Sequence, residues 1–292
     1  MYILLGDKFE NKRQLNFSNP FEDDENFQIF GFGSIIGTLM LHQCCQNEHI
    51  LWDPTTEKFG LIPPSTVDSY VPDVAKASSD FVSYLHGFGY DYQNNRCCKY
   101  LGNQYFDPLW EIYSVRSNSW RKLDVDMPPS LKWSEGTHLY MDGVCHWLCK
   151  KSYGKHNSPF QPCLVSFYLS NEVFLVTPIH SDEDDDCIKF KASWINLAVL
   201  NGSIALFSHI EETTTFHVSI LDEIGMKESW IKLFIVRPLP CVERPMGVGK
   251  KGEIFFIRKD EELVLFDLGT QMIVKLGFKR DIYPDCRIII YK

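Results

Sequence analysis

The sequence predicts an all-β protein, a β-propeller of six four-stranded blades closed by pairing of the N- and C-terminal strands. Three observations predict it: a hairpin unit written six times, pairs of strand-like runs before each of the last five units, and leftovers at the two chain ends that complement one another.

The clearest hairpin runs from Trp110 to Asp124 (WEIYSVRSNSWRKLD). Residues alternate between two faces, the polar stretch Arg116-Ser117-Asn118-Ser119 makes the turn, and Trp120 and Leu123 return. Comparable units lie at Tyr2 to Phe17, His49 to Pro63, Leu164 to Pro178, His217 to Phe234 and Leu263 to Gly277. Anchored at Tyr2, Ile50, Glu111, Leu164, His217 and Leu263, they are spaced by 48, 61, 53, 53 and 46 residues. Repeats of about 40 to 50 residues, lengthened by insertions, are blade spacings.

Taken in order, Phe27 to Phe32 and Ser34 to His42 precede the second unit, and His86 to Tyr90 and Cys97 to Leu101 the third. His138 to Met141 turns at Asp142-Gly143 into Val144 to Lys150. Leu197 to Leu200 turns at Asn201-Gly202 into Ser203 to Ile210, and Pro245 to Val248 leads through Lys250-Lys251-Gly252 into Glu253 to Arg258. Asp-Gly and Asn-Gly are hairpin turns because both central residues must take positive φ. Five complete units lie between Phe27 and Gly277. The hairpin Tyr2 to Phe17 and the strand Cys286 to Tyr291 (CRIIIY) remain, and sharing a sixth blade between them removes two open edges. A seven-bladed or open arrangement is the competing expectation. One domain spanning residues 1–292 is expected, with helical turns only within Asp68 to Ser79 and Leu221 to Lys227.

Net charge is −9 and no run of Lys or Arg exceeds two, which disfavours nucleic acid. No apolar segment approaches the roughly 20 residues that cross a bilayer, and the start lacks a secretory pattern, so a cytoplasmic or nuclear location is expected. The ten cysteines fit free thiols. Cys44-Cys45 and Cys97-Cys98 are adjacent and point to opposite faces of a strand, so neither pair readily grips one zinc.

No phosphate loop, nucleophile elbow or His-Glu helix motif is present. Gly87 and Gly89 in GFGYD read as a turn or bulge, and Asp182 to Asp186 as a solvated loop rather than a calcium site. Asp53, Glu111, Asp222 and Asp267 recur near hairpin positions, which favours turn geometry over paired catalytic carboxylates. Trp52, Trp110, Trp120, Trp147 and Trp230 lie in strand runs and are expected between blades. The long connections fall between blades (Pro64 to Ser83, Asp126 to Thr137, Ile179 to Ser193) and between middle strands (Gly102 to Leu109, Lys151 to Cys163), which places them on one face. Trp133 and Trp194, joined by Tyr70, Tyr153 and His156, are the candidate partner-binding residues of that face. No cofactor, metal or catalytic residue is assigned.

Leu51 to Pro63 (LWDPTTEKFGLIP), Gly87 to Asp91 (GFGYD), Met141 to Leu148 (MDGVCHWL), LVSFYLSNEVF, Leu197 to Leu206 (LAVLNGSIAL) and ESWIKLF, together with the Trp110 hairpin, resemble the F-box-associated domain of plant F-box proteins. The resemblance implies a kelch-like propeller that captures the protein to be ubiquitylated by an SCF-type ligase. In that family an F-box docks on a Skp adaptor and so on a cullin. The resemblance therefore implies a non-catalytic interaction module with an unknown target protein, and alternatives are a propeller hydrolase or a glycan-binding propeller. The chain departs from the pattern in two ways. The helical Leu-Pro-rich F-box is not seen, so adaptor binding is expected only when one is supplied upstream, as for a truncated receptor. The segment after GFGYD reads Gln93-Asn94-Asn95-Arg96-Cys97-Cys98, and Gly33-Ser34-Ile35-Ile36-Gly37 stands where the family has a Cys-Asn-Gly turn, so blade two is expected to pair less well.

Overall fold

The computed structural model describes residues 2–5, 11–14, 27–35, 37–43, 48–65, 82–90, 96–103, 109–125, 131–151, 161–179 and 194–279. They form strands in chain order. The first two, β1 (Tyr2–Leu5) and β2 (Asn11–Gln14), make a two-stranded antiparallel sheet. Five four-stranded sheets follow, each with its strands side by side in chain order.

The first of these holds β3 (Phe27–Ile35), β4 (Thr38–Gln43), β5 (Glu48–Asp53) and β6 (Lys58–Ile62). The second holds β7 (Val82–Phe88), β8 (Arg96–Asn103), β9 (Leu109–Ser114) and β10 (Ser119–Leu123). The third holds β11 (Leu131–Met141), β12 (Val144–Lys151), β13 (Gln161–Tyr168) and β14 (Val173–Pro178). The fourth holds β15 (Trp194–Leu200), β16 (Ser203–Ile210), β17 (Thr215–Leu221) and β18 (Trp230–Val236). The fifth holds β19 (Val242–Val248), β20 (Ile254–Arg258), β21 (Glu262–Asp267) and β22 (Met272–Lys279).

The turns carry the repeat in their backbone. The third-to-fourth-strand hairpins end at Glu57, Asn118, Glu172 and Gln271, with φ of 56°, 49°, 60° and 56°. Four non-glycine residues, two of them Glu, share one left-handed position because the turn requires it there. The first-to-second-strand turns at Asp142-Gly143 (48°, 82°) and Asn201-Gly202 (51°, 80°) have positive φ at both central residues, as expected of type I′ turns. Aspartates brace the hairpins: Asp53 Oδ1 accepts the Thr55 N–H at 2.8 Å, and Asp267 Oδ1 accepts the Thr270 N–H at 2.8 Å.

Middle strands are buried on both faces, so they read as apolar runs rather than alternations. Ile204 to Ile210 of β16 and Val144 to Cys149 of β12 are buried throughout. Fourth strands are largely exposed, as in β22. The chain forms two compact units, one with the β1–β2 hairpin and sheets four and five, the other with sheets one to three. In the first unit Phe207, Phe216 and Val218 meet Ile254, Phe256, Val264 and Phe266. In the second, Trp110, Ile112 and Leu123 meet Cys145, Trp147, Cys163 and Phe167, while Met40 and Ile62 meet Phe88 and Tyr113. Cys286 to Tyr291 lies outside the described residues.

Three expectations need refinement. The β7–β8 ladder runs unbroken from Val82–Asn103 to Phe88–Cys97 beside the unusual residues after GFGYD, whereas the β3–β4 register does shift between Phe30 and Ile35, at the other departure. Backbone hydrogen bonds carry a ladder whatever polar side chains flank it. Gly87 sits within that ladder opposite Cys98, and Gly89 is neither turn nor bulge. A Cβ on Gly89 would lie 2.6 Å from Leu169 Cδ1 and 2.8 Å from Cys145 Sγ, so this glycine lets sheet two approach sheet three. The helical turn expected within Leu221 to Lys227 is a three-residue 3-10 segment, Lys227–Ser229, set at the end of that stretch. Asp68 to Ser79 lies outside the described residues.

Candidate partner-binding surface

Within each sheet the antiparallel order brings one end of the first strand together with the connection between strands two and three. That end also receives the segments entering and leaving the sheet. In the fourth sheet this end is built on a row of aromatic residues. Trp194 opens β15 opposite His209 of β16, and His209 stands opposite Phe216 of β17. The Trp194 and Phe216 rings meet edge-on at 6.2 Å, and the His209 and Phe216 rings lie 4.6 Å apart. Phe216 and His209 are buried and Trp194 half-buried, so part of the indole remains accessible above a fixed base.

Burial lowers the pKa of His209, with Glu211 pulling it the other way. The β16–β17 turn beside it exposes Glu211 and Glu212, and the Thr214 carbonyl accepts the Leu239 N–H at 2.7 Å. The result is an aromatic surface with an acidic rim on a rigid sheet end. Such a surface can offer an anchor and a charge.

Trp133 differs from its expected place in a loop. Its backbone lies in β11, opposite Cys149, before a register shift between Trp133 and His138. Trp133 and Trp194 both lie toward the entry end of the first strands of their sheets. Tyr70, Tyr153 and His156 lie outside the described residues. Sequence reasoning missed His209 and Phe216 as supports of Trp194; only the strand register, which sequence does not display, aligns the three.

Several other polar groups have structural partners. The buried Glu111 carboxylate accepts a hydrogen bond from the Ser65 hydroxyl. His146, fully buried, shares a 2.8 Å hydrogen bond between Nδ1 and Ser166 Oγ. Burial, reinforced by His138, drives its pKa down to about 3, so it is neutral and sealed from any substrate. Trp52, Trp110 and Trp147 are buried, and Trp120 donates from Nε1 to the Pro63 carbonyl at 2.6 Å. Cys145, Cys149 and Cys163 are free and buried. Among the described residues no group of three or more His, Cys, Asp or Glu side chains converges to hold a metal ion. No described helix is long and apolar enough to cross a membrane.

Contacts between neighbouring sheets repeat as well. Arg121 of β10 pairs with Glu172 in the β13–β14 turn. In the other unit Arg237, just past β18, donates to the Gln271 carbonyl in the β21–β22 turn at 3.1 Å. The Tyr140 hydroxyl donates to the Tyr90 carbonyl at 2.5 Å, so GFGYD is tied to the Asp142-Gly143 turn of the next sheet.

The family of F-box associated beta propeller domains matches residues 5–280. The chain belongs to that family. The F-box associated domain is thus an all-β propeller, and the repeated sheets with their shared turn geometry are its blades. It is 30% identical over 136 residues to F-box protein At1g11810 of Arabidopsis thaliana, covering 44% of this chain and 35% of that protein. It is 24% identical over 276 residues to the putative F-box protein At3g17490 of the same plant, covering 88% of this chain and 61% of that one. The F-box associated domain described here therefore spans less than two thirds of the length of either relative. Among solved structures it is similar to a chain of the nidogen/laminin complex, with 9% identity, a TM-score of 0.42, and coverage of 85% of this chain and 78% of that one.

Proposed function

We propose that this F-box associated domain is a non-catalytic module that captures a protein for ubiquitylation by an SCF-type ligase. In that role the F-box is contributed by the same polypeptide or by a partner, a Skp-type adaptor links it to the cullin, and the propeller presents the target. The observation that supports the reading is family membership joined to a sheet end where Trp194 stands half-exposed on the His209–Phe216 base. A rigid scaffold that spends its charged groups on turns and braces suits binding better than chemistry. Residues 1–292 then act as one propeller whose sixth blade is shared by the termini. Free buried thiols suit a reducing cytoplasm or nucleus.

The test is reconstitution. The chain joined to an F-box is assembled with adaptor, cullin and ubiquitin-conjugating enzyme, and plant proteins whose ubiquitylation depends on it are identified. The expected result is a small set of targets lost or weakened more than about tenfold when Trp194 is replaced by Ala, the size of one interface anchor. An assembly that docks on the adaptor yet ubiquitylates nothing in a propeller-dependent way would refute the reading.

A further inference from the structure

A sheet edge is a template for another strand, and proteins guard such edges with charge, proline, bulges or shortness. Four of the five fourth strands are guarded. β6 has Lys58 and Gly60 and runs into Pro63-Pro64; β10 carries Arg121 and Lys122. β14 ends at Pro178, and β22 carries Lys275, Lys279 and Gly277 at φ 72°.

β18 is different. It is the edge of its sheet, seven residues long, and Lys232 is its single charge. The bulge between Lys232 and Phe234 leaves Leu233 outside the register. Three successive apolar side chains, Leu233, Phe234 and Ile235, are exposed, as is Ile231, at 38% to 46%. Outside the strand, exposed Glu228 stands two residues before it and exposed Arg237 directly after it. Arg237 is held near that exit by its bond to the Gln271 carbonyl and by the Phe266 ring at 5.9 Å.

We propose that β18 is the seam of a homodimer, pairing antiparallel with β18 of a second copy. A two-fold axis between Lys232 and Leu233 gives a self-consistent register. It sets Ile231 beside Phe234 of the second copy and Trp230 beside Ile235, so each exposed apolar residue except Leu233 gains an apolar neighbour. Leu233 falls beside the aliphatic stem of Lys232. At both ends Glu228 of one copy comes opposite Arg237 of the other, so the charges that flank the strand are complementary to themselves. A peptide of opposite charge order fits less well than the strand's own reverse. Main-chain bonds supply affinity and the ends supply register.

Analytical ultracentrifugation of the full chain over a wide concentration range tests this. A reversible dimer is expected. Leu233→Lys with Ile235→Lys should raise its dissociation constant more than about tenfold. Glu228→Arg alone and Arg237→Glu alone should weaken it, and the two reversals together should restore it. Circular dichroism checks that each variant folds. Hydrogen exchange on the unmodified chain provides a reading free of substitutions: β18 amides should gain protection as concentration rises. A chain monomeric throughout overturns the proposal, as does a dimer indifferent to the paired lysines or protection of β18 that arises only when another protein is added.

Discussion

Gly89 shows how a single side chain's absence sets a relation between elements. Leu169, Cys145 and Tyr140 crowd the space where its Cβ would be, the nearest at 2.6 Å. Gly89→Val should destabilise the domain by about 1 to 3 kcal/mol through overpacking, measured by urea unfolding, while Gly60→Ala, which meets nothing, should cost far less. His146 makes a second residue-scale prediction. Its folded pKa is about 3 against an ordinary 6.5, because burial penalises the cation. Above pH 6.5 both states are neutral and stability is unaffected. As pH falls from 6.5 toward 3 the unfolded chain takes up a proton that the folded one refuses. Stability should therefore drop by about 1.4 kcal/mol per pH unit from this group. His209, shifted the same way, adds to the slope. Asp267 works in the same sense but at lower pH, since the Thr270 N–H holds its carboxyl below the usual 3.8. Its contribution is present above that value and lost only at lower pH. Unfolding measured at pH 7.5 and 5.5 isolates the histidines, and His146→Gln should flatten the slope.

At the scale of elements, hairpins were the most legible feature, because a turn is written in adjacent residues. Asp142-Gly143 and Asn201-Gly202 announce positive φ, and the structure has it at all four positions. Gly202→Val should cost about 1 to 2 kcal/mol by forcing a β-branched residue into the left-handed region, seen as a lower melting temperature. Strand starts were less legible. Leu131 to Thr137 reads as a loop because Lys132, Ser134 and Glu135 are polar, yet β11 begins at Leu131. Contacts between sheets were not legible at all. Nothing near Arg121 in the chain points to Glu172, and nothing near Arg237 points to Gln271, because these partners meet only after the sheets stack. The candidate surface divides in the same way: Trp194 stood out as an aromatic at a loop end, while its supports His209 and Phe216 depend on register.

For the whole molecule, repetition is the organising fact. Sheets that bury both faces of their middle strands leave connections and fourth strands to vary, so one architecture can serve different partners. The same repetition makes closure the central claim, because a propeller holds its loops rigidly only when its ends are joined. The hairpin β1–β2 belongs to the same compact unit as the last two sheets. Pulsed electron paramagnetic resonance between spin labels on Lys12 and Arg287 tests this most directly. Strands of one sheet are about 4.8 Å apart, so the account predicts a single narrow distance distribution below about 25 Å, label tethers included. A broad distribution centred well beyond that would contradict it.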